Sequence, residues 1–113
     1  MNFIRHPEQP ICTDLSVTDD IFVKSYLIPM ARTIMPQHAH SFSHVSVIAR
    51  GGVKVWIDGD YKGERHALSN VTIEALKMHT FMTTEDNTVI LCVHNIGRNG
   101  DIEVAAENGL VPD

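Results

Sequence analysis

The sequence predicts an all-β domain, and three observations predict it. From Asp20 to Ile96, short runs rich in Val, Ile, Thr and aromatic residues are broken by Gly, Asn, Asp or Pro, the pattern of many short strands. Val53-Lys54-Val55-Trp56-Ile57 alternates apolar and polar side chains, the period of a half-buried strand. Turn dipeptides, Gly51-Gly52, Asp58-Gly59 and Asn99-Gly100, punctuate the runs. Their spacing is that of a sandwich or closed barrel.

The elements follow in order. Residues 1–19 show no periodicity and are expected to form an extended amino-terminal arm. Ile21 to Pro29 is a strand, and Ala31 to Met35 a second that Pro36 should stop. Phe42 to Arg50 alternates into the Gly51-Gly52 hairpin signal, and Val53 to Ile57 returns with Val53, Val55 and Ile57 on one face and Lys54, Trp56 and Asp58 on the other. After Asp58-Gly59 come weaker strands around Lys62-Gly63, at Val71 to Glu74 and at Met78 to Met82, then a stronger one from Thr88 to Ile96. Residues 98–113 form a tail in which Asp101 to Leu110 has the length of one short helix. The barrel is thus expected over residues 20–97 of a single domain spanning 1–113.

Composition narrows the function. The 113 residues are 43% hydrophobic and 20% charged, enough for one core and too apolar for a disordered chain. Nine basic against fourteen acidic side chains give a net charge of −5 with no Lys/Arg cluster, which argues against binding to nucleic acid or to a membrane surface. Residues 1–20 carry no apolar stretch of the signal-peptide kind, and the longest apolar run, Val89 to Val93, is far shorter than the roughly 20 residues of a membrane span. A cytoplasmic location is expected, with Cys12 and Cys92 reduced.

Histidine is the residue that composition leaves unexplained. The chain has seven, three of them in His38-Ala39-His40-Ser41-Phe42-Ser43-His44. On a strand, residues two apart share a face about 6.5 to 7 Å apart, so His38 and His40 can reach one ion and His44 keeps their parity. A helix would turn His38 and His40 apart. Pro36 upstream and the β-branched alternation downstream favour the strand.

These residues give the chain a resemblance to the cupins, small jelly-roll β-barrels that hold one metal ion. Their first motif, G-x5-H-x-H-x3,4-E-x6-G, is similar to the stretch in which His38, His40, His44 and Gly51 stand at the two histidines, the Glu and the closing Gly, with Arg32 at the leading Gly. Their second motif, G-x5-P-x-G-x2-H-x3-N, retains only its histidine, as His79. Leu68, Glu74, Leu76 and Thr83 replace Gly, Pro, Gly and Asn. The resemblance covers about Asp20 to Ile96 and is closest to the cupins that use four histidines. It implies a double-stranded β-helix with His38, His40, His44 and His79 as ligands of one divalent transition metal ion.

Four imidazoles suit Fe, Mn, Ni, Cu or Zn and exclude Mg and Ca, which want oxygen ligands. Without the Glu the ion keeps its full +2 charge, so its open positions favour an anionic or chelating oxygen ligand and acidify bound water. Phe42, Ser46 and Ile48 share parity with His44 and are expected to line the interior, as is Phe81 beside His79. His94 joins them as a proton shuttle if Ile90, Cys92 and His94 face inward. Arg32 and Arg50 are candidates to hold a substrate carboxylate and Glu74 a candidate base, whereas His6 and His66 are expected to be ordinary surface residues. The resemblance implies a metal-dependent enzyme, foremost an oxygenase, acting on a small anionic or oxygen-rich molecule. A non-catalytic sensor, store or scaffold, and a redox-neutral isomerase or lyase, are the alternatives. Both faces of Thr88 to Ile96 are apolar and Trp56 points outward, so a homodimer is expected.

Overall fold

The computed structural model describes residues 11–19, 21–38 and 43–95, and every regular element among them is a strand. In chain order these are β1 (Ile11–Thr18), β2 (Ile21–Ile28), β3 (Ile34–His38), β4 (His44–Arg50), β5 (Gly52–Ile57), β6 (Asp60–His66), β7 (Ser69–Ile73), β8 (His79–Thr83) and β9 (Thr88–Asn95). They form a five-stranded sheet in the order β1-β2-β9-β4-β7 and a four-stranded sheet in the order β3-β8-β5-β6. Every pairing is antiparallel. The architecture is all-β, two antiparallel sheets, as the turn spacing predicts and as the jelly roll implied by the resemblance requires.

The alternation of side chains builds the interior. On β4, His44, Ser46 and Ile48 are buried. On β8, His79, Phe81 and Thr83 are buried. On β5, Val53 and Val55 are fully buried and Ile57 packs against the core, as the period of that strand predicts. Register then sets these side chains in rows across the five-stranded sheet. Phe22 pairs with His94 and Lys24 with Cys92, while Ser46 pairs with Cys92 and Ile48 with Ile90. Ile28, Ile48, Val71, Ile73 and Ile90 of this sheet meet Val53, Val55 and Phe81 of the other in the hydrophobic core. Fully burying one such side chain contributes about 1.5 to 3 kcal/mol.

Two expectations are corrected. Residues 11–18 are not an arm: they form β1, paired along its length with β2 and broken by one register shift between Cys12 and Asp14. Pro36 does not end a strand either, since β3 runs Ile34–His38 through it. β3 lies at the edge of its sheet, where a residue that cannot donate to the ladder is tolerated. The tail and its expected helix at 101–110 lie outside the described residues.

One end of the barrel is tied together by buried hydroxyls. Thr83 Oγ1 accepts a hydrogen bond from Thr33 N (3.0 Å) and donates to Met30 O (2.8 Å). Thr33 Oγ1 donates to Met30 O (2.8 Å), and Arg32 N to Thr83 O (2.7 Å). Thr88 Oγ1 donates to Glu85 O (2.9 Å), and a Cβ added to Gly51 would run into that hydroxyl. Running from this end along β4, β8 and β9 leads to His44, His79 and His94 at the other.

Candidate metal centre

β4 opens with His44, and β8 with His79. Each is the first inward position of its strand, and the two strands belong to opposite sheets. The imidazoles are 6% and 5% exposed, and their ring centroids lie 5.1 Å apart with planes inclined at 58°. His79 Nδ1 sits 3.5 Å from Lys77 O, a long contact on the side facing its own loop. Phe81 flanks the His79 ring at 5.8 Å. The backbone of His38 is the direct β-ladder partner of His79.

His94 is a third imidazole on this level. Its ring stacks on Phe22 at 4.7 Å and meets His44 edge-on at 6.5 Å. Burial lowers its pKa below the usual histidine value, because removal from water penalises the charged form. One row below, Ser46 Oγ lies 3.9 Å from Cys92 Sγ. The inward parity predicted for Ser46, Ile48, Phe81 and His94 is therefore observed, with Ser46 and Ile48 fully buried.

The donor set fits a transition metal. With metal–nitrogen bonds of about 2.0 to 2.1 Å, two imidazoles sharing one ion have centroids roughly 4.5 to 6 Å apart, which includes the 5.1 Å separation of His44 and His79. Imidazole nitrogens suit borderline transition metals, whereas Mg and Ca want oxygen ligands. Among the described residues no three His, Cys, Asp or Glu side chains gather for one ion. His94 is thus not the third ligand of the pair. His40 and Phe42 lie outside the described residues, as does the side chain of His38, so the expected four-histidine set falls partly outside the described residues.

Backbone angles mark three of the motif positions. Arg32 stands where the leading glycine of the first motif would be, and its φ is 61°. Leu76 stands at the second glycine of the other motif, and its φ is 65°. Gly51, the retained glycine, has φ 80°. All three places have left-handed backbone, although only one of them is glycine. Thr83 stands at the asparagine position of the second motif, and its buried hydroxyl ties down the turn at residues 30–33.

Other candidates are exposed to solvent. His66 is exposed, between Glu64 (3.1 Å) and Glu85 (3.4 Å). Glu74 and Arg50 are exposed at strand ends. Two residues that sequence reasoning passed over do bear on the site: Phe22, which backs His94, and Asp58, which holds the loop ahead of His79. Asp58-Gly59 is legible as a turn, but nothing in the dipeptide shows what the carboxylate reaches.

Comparison with known proteins agrees with the fold. No family model matches the chain, and no curated protein matches it in sequence. Solved structures do. A cupin 2 domain-containing protein from Halorhodospira halophila superposes with a TM-score of 0.68 at 14% identity, covering 93% of this chain and 85% of that one. An uncharacterised conserved Klebsiella pneumoniae protein with a double-stranded β-helix domain gives 0.68 at 15% identity, covering 85% and 84%. KdgF from Halomonas sp. gives 0.64 at 14% identity, covering 77% and 79%. This chain shares the double-stranded β-helix fold of these cupin structures. No helix among the described residues is long and apolar enough to cross a membrane.

Proposed function

We propose that the chain holds one divalent transition metal ion on His38, His40, His44 and His79 and acts with it on a small anionic or oxygen-rich molecule, as an oxygenase. The observation that carries this reading is the buried His44–His79 pair at 5.1 Å, contributed by opposite sheets and walled by Phe81. When bound, the ion supplies Lewis acidity and, if it is iron, a redox couple for dioxygen. The protein's own part is to bind and orient. Four neutral imidazoles leave the ion's charge uncompensated, so an anionic oxygen ligand is drawn to the same point. Phe22 and Phe81 keep water from it. His94, set edge-on to His44 and with its pKa lowered by burial, is the proton shuttle of this reading.

Metal-free protein titrated with Fe(II) or Co(II) should take up one equivalent. His44→Ala and His79→Ala should each weaken binding by more than about 100-fold, since even outer partners of a ligand cost 10- to 100-fold. Unchanged affinity in either variant overturns the assignment. Nitric oxide added to the Fe(II) form and followed by EPR then decides the reaction class. An adduct supports the oxygenase, and no adduct, or a strong preference for zinc, favours a redox-neutral enzyme or a binding protein.

The same reading includes a second copy of the chain. Val89, Leu91 and Val93 of β9 face out of the barrel, with Val23 and Val45 in register on either side of Val93. These side chains are only half-buried, and a homodimer covers such a face. Light scattering during gel filtration should give twice the chain mass, and Leu91→Lys should halve it.

A further inference from the structure

His79 is buried, yet the residues leading into it are not. Glu74, Leu76, Lys77 and Met78 are exposed, and Ala75 is half-buried. Hydrophobic packing therefore cannot fix the path of this loop, and Leu76 makes the path unfavourable by taking a φ of 65° without being glycine. What holds the loop is a set of polar ties. Asp58, in the turn between β5 and β6, uses both its backbone and its side chain on one residue. Its N–H donates to Met78 O (2.7 Å), and its Oδ1 accepts from Met78 N (2.9 Å). Its other oxygen, Oδ2, pairs with Lys77 Nζ at 3.3 Å. Further upstream, Ala75 N donates to Ser43 Oγ (3.0 Å), the residue before His44.

Resting on the metal-site reading above, we infer that Asp58 is a positioning residue for His79: by gripping both backbone polar groups of Met78, it sets the angle at which the next residue's imidazole enters the barrel beside His44. Lys77 completes the grip from the same loop, and Ser43 joins the loop to the strand that carries the facing ligand. The hydrogen bonds from Met78 and Lys77 also hold the Asp58 carboxyl below its usual pKa, as expected of an acceptor whose charged form is in use.

The test uses substitutions suited to the backbone at residue 58, whose φ is 50°. Asp58→Gly removes the carboxylate without adding left-handed strain, whereas Asp58→Asn keeps an oxygen acceptor for Met78 N–H and adopts this φ readily. In metal-free protein, Met78 amide exchange should quicken by at least about 10-fold in Asp58→Gly, and the His79 imidazole NMR signals should shift or broaden. Asp58→Asn should restore both. Co(II) affinity, measured well below the melting temperature, should fall by about 10-fold in Asp58→Gly, be largely rescued in Asp58→Asn, and stay unchanged in the control Asp60→Ala. A variant that only melts earlier, with unaltered His79 signals and Co(II) affinity, overturns the inference. If the wild-type protein binds no Co(II), the metal-site reading fails, and the Met78 and His79 signals of the metal-free protein still decide the role of Asp58. Should Asp58→Gly not fold, loss of the His79 signals' wild-type position in Lys77→Ala supports the grip, and their retention there overturns it.

Discussion

The two ends of the barrel hold left-handed backbone in opposite ways. At the threonine end, Arg32 and Gly51 are fixed from inside: Arg32 by a turn that the fully buried Thr83 binds, and Gly51 by close approach to the fully buried Thr88. At the histidine end, Leu76 is fixed from outside by Asp58 and Ser43 on the surface. Inside ties are shielded from water and cost the full desolvation of a donor or acceptor when broken. Outside ties exchange with solvent and cost less. The end carrying the candidate site is thus the more adjustable, while the far end anchors the sheets.

Substitutions can break or sharpen that contrast. The largest effect is expected at Gly51, where Ala combines an unfavourable φ of 80° with a clash against Thr88. Gly51→Ala should cost more than about 2 kcal/mol by urea unfolding, and adding Thr88→Ala should recover the steric part alone. Next comes Thr83→Val, nearly isosteric, which leaves Thr33 N–H without its buried acceptor. A loss of about 1 to 3 kcal/mol is expected. Leu76→Gly should change stability by less than about 1 kcal/mol, because relief of the left-handed strain is offset by the greater freedom of glycine in the unfolded chain. A large loss there would show that the Leu76 side chain packs against something and that the contrast between the ends is false.

The smallest effect concerns pH. The Asp58 pKa is lowered on folding from 3.8. A depressed carboxyl stabilises the fold fully above its unfolded pKa, and that contribution disappears as pH falls through the folded value. The melting temperature of the wild type should therefore approach that of Asp58→Asn below about pH 3.5, with their separation constant from pH 5 to 7.

How much of this was legible depended on contrast along the chain. β4, β5 and β8 alternate strongly, so their inward residues, His44, Ser46, Ile48 and Phe81 among them, followed from period alone. β1 reads Ile-Cys-Thr-Asp-Leu-Ser-Val-Thr, in which Leu15 and Val17 do alternate with Asp14, Ser16 and Thr18, but it is an edge strand with mostly exposed side chains and a register shift near its start, so its alternation is short and was passed over. Pro36 misled because a proline stops a strand only where its N–H is needed, and at an edge it is not. His44 and His79 were legible as chemistry because imidazole at motif spacing is informative. Arg32 and Leu76 were opaque for the converse reason: the requirement is a backbone angle, which residue type reports only when it is glycine. Asp58 and Thr83 act through backbone groups distant in sequence, Met78 and Met30, so neither role leaves a local pattern.

The position of β9 bears on how the protein is made. It lies between β2 and β4 and pairs with both, so a nascent chain ending before residue 88 has no strand to join its first hairpin to the rest of that sheet. Contacts so distant along the chain form slowly. Until β9 emerges, β2 and β4 present open edges that invite pairing with other chains. Closure of this sheet therefore waits for β9, and the interval before it is when its open edges are most exposed to aggregation.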